Sequence, residues 1–294
     1  MLPVYTIADI AALPADSSVR LGVIGNPIAH SKSPQMQQAA LDATGKPHTY
    51  VRLLAELEEG GFESLLNLLE QRGFIGTNIT VPFKKKAFAA AVQADALSTL
   101  CGAANTLVRQ QDGWHCHNTD GPGFEQAIAE LSGRSLSELN IVILGACGGA
   151  GSALCCQSVL SGCRKLTMVN RPRPELEQLR HLLHPHATGE LHTLHFDSPA
   201  FETAAKEADL IVNATSLGLH EGDPLPLRTE WLHPGQTVYD IVTHTTPLQS
   251  AAAKQGCTVS DGLGMLLWQG AFAYRHWFGN LPDISLMKKA LLLS

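Results

Sequence analysis

The sequence predicts an α/β chain of two units, each built on a largely parallel sheet covered by helices. Three observations lead there. Short apolar runs alternate with helix-patterned stretches along all 294 residues, and that alternation builds parallel sheets that need cover on both faces. The rhythm restarts at residue 141. The restart is a strand followed at once by a Gly-rich turn and a helix, which is how a doubly wound unit opens.

In the first unit, "VRLGVIG" (19–25) is an apolar run ending in Gly and reads as a buried strand. "SPQMQQAALDATG" (33–45) reads as a helix, with Ser33 as cap, Pro34 in the first turn and Gly45 past the end. "HTYVRLLA" (48–55) is strand-like, and "FESLLNLLEQRG" (62–73) places Leu65, Leu66, Leu68 and Leu69 on a helical face that Gly73 stops. "FIGTNITV" (74–81) is the next strand, and "AFAAAVQADALSTL" reads as one helix. "ANTLVRQQDGWHCHNTD" reads as a hairpin about Asp112-Gly113. From residue 141, "IVILG", "KLTMVN", "LHTLHF", "DLIVNAT", "QTVYDIV" and "CTVSDG" read as strands with helices between them, and the tail reads as two helices.

The chain is 45% hydrophobic and 16% charged with a net charge of −6, an ordinary globular balance that argues against a general nucleic-acid binder. No uninterrupted apolar run reaches the roughly 18 residues of a membrane span, and the start carries no basic region followed by an apolar core. Seven cysteines without a CxxC pair suit free thiols in a reducing cytoplasm. Five histidines between 181 and 195 lack ordered Cys/His spacing, so no metal site is expected. In "HCHNTD", alternation puts His115 and His117 on one strand face and Cys116 on the other.

Two groups of residues carry chemistry. The turn "GACGGAGS" offers Gly145, Gly148, Gly149, Ala150 and Gly151 between a strand and a helix. Glycines there let backbone approach a pyrophosphate, and the helix N-terminus favours its charge. A tight strand-to-helix turn would use the same residues. The next strand ends in "VNRPR", which sets Arg171 and Arg173 where a ribose 2′ group would lie; guanidiniums there suit a 2′-phosphate. The second group is three polar islands, "NPIAHSKSP" (26–34), "TNITVPFKKK" (77–86) and "NTDG" (118–121), each at or past a strand's C-terminal end, where open α/β sheets bind ligands. They offer Ser31, Ser33, Asn78, Thr80, Lys84 and Asp120. Such groups suit a small polyhydroxylated anion, although caps and turns favour the same residue types.

Read in order, "GNPIAHSKSP", "GTNITVPFKKKAF", "GAANTL", "NTDG", "NATSLG" and "DGLGMLLWQGA" resemble the shikimate dehydrogenase family, including its quinate/shikimate branch, over about residues 20–279. The resemblance implies a substrate domain of residues 1–121 completed by 261–294, a Rossmann-type dinucleotide domain of 122–260, and a cleft between them. It implies that Ser31 and Ser33 bind a carboxylate, that Thr80, Asn105 and Gln269 meet ring hydroxyls, and that Lys84 and Asp120 are the reacting pair. Lys85 and Lys86 are then bystanders. To the glycine turn it adds Asn170, Arg171 and Arg173 after the second strand, Thr215 from "NATSLG" and Gly264 from "DGLGM" as cofactor residues.

The implied activity is reversible reduction of 3-dehydroshikimate to shikimate with NADP, or alternatively NAD, in a monomer or homodimer. An NAD(P)-dependent quinate/shikimate dehydrogenase and a non-catalytic nucleotide- or metabolite-binding paralogue are the alternatives. The chain departs from the family in three places. Thr243 stands where a substrate-touching tyrosine is usual, in a loop shorter by about two residues. An extra residue sits near Cys147, and Pro172 follows "NR".

Overall fold

The structure is a computed structural model and describes residues 3–293. The chain divides into two compact units. The first runs to Thr119 and resumes at Gln269, and the second is Asp120–Trp268.

The first unit begins with β1 (Val4–Tyr5), α1 (Ile7–Ala11) and β2 (Val19–Gly25), whose apolar run is buried almost throughout. It continues through α2 (Ser33–Ala43), β3 (Thr49–Leu54), α3 (Gly61–Gln71) and β4 (Gly76–Ile79). Next come α4 (Lys84–Ala90), β5 (Gln93–Ala94), α5 (Ala96–Cys101) and the hairpin β6 (Thr106–Gln110) with β7 (Gly113–His117). The seven strands lie in the order β1-β3-β2-β4-β6-β7-β5. Strands β1 to β4 are parallel, whereas β6 is antiparallel to β4 and also to β7, to which a two-residue turn joins it directly. Phe62, Leu65, Leu66 and Leu69 of α3 pack with Ile24, Ile79, Phe83 and Trp114 in one core.

Two local expectations differ. The stretch read as one helix is broken: α4 ends at Ala90, and β5 pairs parallel with β7, Gln93 opposite His115. The Val92 N–H bonds to the Trp114 carbonyl at 2.9 Å. Asp95 then caps α5, accepting from the Ser98 N–H at 2.7 Å. β-Branched Val92 and the cap residue Asp95 are the local reasons. Ser33 is also not the cap of α2; it is the first helical residue, Lys32 holds the cap position, and the Ser31 hydroxyl one residue earlier accepts from the Ser33 N–H.

The second unit opens with α6 (Asp120–Ser132), where the sequence reading assigns no element. Gly121, Pro122 and Gly123 hide it, but a proline is tolerated in a first helical turn, and Phe124, Ala127 and Ile128 form its buried stripe. Then follow β8 (Asn140–Leu144), α7 (Gly149–Leu160), β9 (Lys165–Asn170), α8 (Pro174–Leu183), β10 (Glu190–His195), α9 (Ala200–Glu207), β11 (Leu210–Asn213), β12 (Thr237–Asp240), α10 (Pro247–Lys254) and β13 (Thr258–Ser260). All six strands are parallel, in the order β10-β9-β8-β11-β12-β13. The order reverses between β8 and β11, the topological switch point of a doubly wound sheet.

Helix α11 (Leu263–Phe278) carries the chain back into the first unit, and α12 (Ile284–Leu292) packs on α2. Trp277 donates its indole N–H to the Leu107 carbonyl at 3.1 Å, and Tyr274 shares a 2.6 Å hydrogen bond with Thr44. No described helix is long and apolar enough to cross a membrane.

His276 of α11 stacks on His117 of β7, ring centres 3.8 Å apart. The His117 Nδ1 lies 3.4 Å from the Asp95 carboxylate. Burial, reinforced by the His117 and Arg275 charges and opposed by Asp95, lowers the His276 pKa from 6.5 to about 4. The fold therefore prefers neutral His276. Its contribution to stability is complete above about pH 6.5 and is lost as pH falls towards 4. His276→Leu should move the midpoint of acid unfolding, followed by far-UV circular dichroism, to lower pH. A midpoint that stays put or rises would show that this imidazole does not limit acid stability.

Candidate active site

In the first unit the polar islands are fixed by backbone and buried side chains. Arg52, in the middle of apolar β3 and only 3% exposed, donates from Nε and Nη2 to the Ser31 carbonyl at 3.0 and 2.6 Å. Asn26 donates to the Ala55 carbonyl at 2.9 Å. The loop carrying Ser31 and Ser33 is thus tied to the end of β3, and the Ser33 N–H reaches Ser31 Oγ at 3.3 Å. The Thr80 N–H bonds to the Ile24 carbonyl at 2.8 Å, continuing the β2–β4 pairing past the strand end. Asn78 is buried beneath it, accepting from the Tyr50 hydroxyl at 2.8 Å and donating to Thr106 Oγ1 at 3.1 Å.

Asn105 is the hub. Its Oδ1 accepts from the Thr119 N–H at 2.7 Å and from the Thr119 hydroxyl at 3.1 Å, and its Nδ2 donates to Gln269 Oε1 at 3.4 Å. Its own N–H bonds to the His117 carbonyl at 3.1 Å. One residue earlier, the Ala104 N–H bonds to the Lys84 carbonyl at 3.0 Å. The Asn105 side-chain amide thus joins Thr119 and Gln269, far apart in the chain, and the backbone bond to Lys84 lies one residue before it. Asp120 follows Thr119 directly and starts α6, almost fully buried. Lys84 is half-buried, Lys85 is exposed, and Lys86 reaches Glu63 at 3.8 Å. Sequence reading passes over Arg52 and Thr119; a lone arginine inside "TYVRLL" was the available signal for the first.

In the second unit a cavity of about 980 Å³ opens at the ends of β8, β9 and β11, at the switch point. Gly145, Gly148, Asn170, Arg171, Arg173 and Thr215 all line it. Gly149, Ala150 and Gly151 form the start of α7 beside it, and Gly264 does not line it; a Cβ on Gly264 would meet Ala127 at 3.3 Å. Gly145 takes φ +80°, open to glycine but strained for other residues, and a Cβ there would lie 2.9 Å from the Ala214 carbonyl oxygen. Helix α7 begins with its N–H groups bare of any side-chain cap, a natural seat for a phosphate. The Thr215 hydroxyl sits 2.6 Å from Asn213 Oδ1 and 3.0 Å from the Leu217 N–H, which fixes the loop after β11. A nucleotide diphosphate fits this set: small residues where the backbone must be approached, and guanidiniums at the ribose end.

The loop bearing Thr243 is pinned from below. Asp240, fully buried, accepts from Asn213 Nδ2 at 3.1 Å, from the Val242 N–H at 3.1 Å and from the Thr246 hydroxyl at 2.8 Å. Burial nonetheless pushes its carboxyl above the usual range. Thr243 itself stays half-buried. Among the described residues no group of three His, Cys, Asp or Glu is placed to hold a metal ion.

Comparison with known proteins fits this architecture. Residues 23–107 match the family model of the shikimate dehydrogenase substrate binding domain, and residues 262–292 that of the shikimate 5′-dehydrogenase C-terminal domain. A shikimate dehydrogenase (NADP(+)) of Rubrobacter xylanophilus is 36% identical over 279 residues, 92% of this chain and 94% of that one. The crystal structure of the Listeria monocytogenes shikimate 5-dehydrogenase in complex with shikimate and NAD superposes with a TM-score of 0.85 at 29% identity, covering 93% of this chain and 96% of that one. Quinate dehydrogenase from Corynebacterium glutamicum in complex with NAD gives a TM-score of 0.84 at 28% identity, covering 94% and 98%. With such identity sustained across more than nine-tenths of two full-length relatives, the chain belongs to the shikimate dehydrogenase family.

Proposed function

We propose that this protein catalyses the reversible NADP-linked reduction of 3-dehydroshikimate to shikimate, with Lys84 and Asp120 as its acid–base pair. The observation that carries the reading is the Asn105 hub, which joins Gln269 to Thr119, the residue before Asp120, and lies one residue from the backbone bond between Ala104 and Lys84. The family membership and the NADP-named relatives support it. Bound NADPH supplies the hydride. The chain's own residues do the rest. Ser31 and Ser33 hold the substrate carboxylate, and Thr80, Asn105 and Gln269 take the ring hydroxyls. The Lys84 ammonium stabilises charge developing on the carbonyl oxygen and delivers the proton to it. Asp120 is the carboxylate member of the acid–base pair. The seven cysteines, none of them in a disulfide, fit work in a reducing compartment such as the cytoplasm.

One observation favours a second reading, an NAD-using quinate/shikimate dehydrogenase. Arg173 lies 3.6 Å from Glu175, which partly neutralises it, and Pro172 has no N–H to offer a phosphate. Steady-state kinetics with shikimate and quinate, each with NADP and NAD, separates the readings. The pair shikimate and NADP should give the highest kcat/KM by at least about tenfold, the worth of one charge-assisted contact. Quinate with NAD in first place would install the second reading, and no turnover with any pair would leave a binding paralogue.

A further inference from the structure

The cavity of the second unit has a wall that neither the glycine turn nor the end of β9 accounts for. It comes from the segment 225–231, between β11 and β12. We propose that Arg228 on this wall is a cofactor-specificity residue, which clamps a ribose 2′-phosphate together with Arg171. This rests on the NADP reading above and names a residue that the family words do not contain.

The wall is a built surface. Leu227 and Leu232 are buried on either side of a single 3-10 turn, Thr229–Trp231. The Trp231 N–H bonds to the Arg228 carbonyl at 3.2 Å, and the Leu232 N–H bonds to the Thr229 carbonyl at 3.1 Å. The Arg228 guanidinium lies 6.0 Å from the centre of the Trp231 ring, within cation–π range. That ring packs edge-on against Phe201 at 5.1 Å, and Phe201 is 1% exposed. Arg228 is thus presented on an aromatic stack anchored in the core, which lowers the entropy lost when it grips a ligand.

Charge points the same way. Three guanidiniums, Arg171, Arg173 and Arg228, and one carboxylate, Glu230, line the cavity. Arg173 has Glu175 beside it at 3.6 Å. Among the described residues neither Arg171 nor Arg228 is in a close ion pair, although the Glu202 carboxylate lies within electrostatic range of Arg228. Three guanidiniums against one lining carboxylate leave the concavity net positive and favour a multiply charged anion. A 2′-phosphate has oxygens to spare for both Arg171 and Arg228, and Pro172 cannot serve them. A lone hydroxyl at the same place would use neither charge.

The test uses the full chain and two probes, 2′,5′-ADP and 5′-AMP, with affinities from isothermal titration calorimetry. Wild type should bind 2′,5′-ADP more tightly. Arg228→Ala should weaken 2′,5′-ADP by about tenfold or more and shrink the ratio of the two affinities accordingly. Glu230→Gln should move that ratio the other way. If Arg171→Ala lowers the ratio while Arg228→Ala leaves it alone, or if Arg228→Ala weakens both probes equally, the proposal falls and the NADP reading stands. If wild type itself shows no preference for 2′,5′-ADP, the NADP reading fails and takes this proposal with it.

Discussion

Replacing Lys84 by alanine is expected to lower kcat by about 10² to 10⁴, the usual worth of a positioned proton donor, while thermal stability is kept. Both halves follow from where the residue lies. Lys84, Lys85 and Lys86 open α4, the end at which a helix is electropositive. Cations there gain nothing from the helix, so removing one should leave Tm unchanged or slightly raised. Lys86 has Glu63 at 3.8 Å and Lys85 is exposed, which gives those two ordinary surface roles. Lys84 alone is tied through its carbonyl to Ala104, next to the Asn105 hub. Lys85→Ala is therefore the control, and stopped-flow or steady-state reduction assays on both variants are the measurement. A Lys84→Ala enzyme within threefold of wild-type kcat would refute the assignment, and a large fall in Tm would make the loss structural instead.

Gly151→Ala should cripple cofactor binding, with KM for NADP rising by about tenfold or more, and should cost roughly 1–3 kcal/mol of stability, the usual range for overpacking a tight site. A Cβ at 151 would lie 2.2 Å from the Gly145 oxygen, 3.0 Å from its carbonyl carbon and 3.1 Å from the Ala146 Cα. All three are backbone atoms, so no rotamer change relieves the contact. Gly145 cannot easily retreat, because its own neighbour is the Ala214 carbonyl on β11's continuation. The turn must open, and the N–H groups at the head of α7 turn with it. Gly149→Ala is the stability control: nothing lies within 4 Å of its added Cβ, so its Tm should hold. Thermal unfolding and NADP titrations of the two variants decide. A Gly151→Ala protein with wild-type Tm and KM would show that the close approach carries no constraint.

Much of the fold is legible in the sequence because its central strands, β2, β4, β8 and β11 among them, are buried on both faces. "VRLGVIG" and "IVILG" are nearly pure apolar runs, and each ends in the glycine where the chain turns. What escapes is what tertiary contact decides. The two residues of β5 form a strand because β7 lies alongside, and in an alanine-rich stretch Val92 and Asp95 mark only where the helix breaks. Helix α6 starts with three residues that usually break helices, and its apolar stripe emerges only when Phe124, Ala127 and Ile128 are seen packed. The site divides the same way. The glycine turn, the "NRPR" end and the "NTDG" island announce themselves by residue type. Arg52 and Arg228 do not, since a charge in a strand or an irregular loop gains meaning only from what it faces.

The return of the chain into its first unit sets an order on synthesis. The second unit is one continuous stretch, Asp120–Trp268, and has all its strands once Ser260 has been made. The first unit is still incomplete at that moment. Gln37 lacks the Gly270 carbonyl, Thr44 lacks Tyr274, the Leu107 carbonyl lacks Trp277, and the Asn105 amide lacks Gln269. Everything that closes it is encoded after residue 268. The half begun first on the ribosome is therefore finished last, so a premature stop directly after Trp268 would spare the second unit and leave the Asn105 hub without its Gln269 partner.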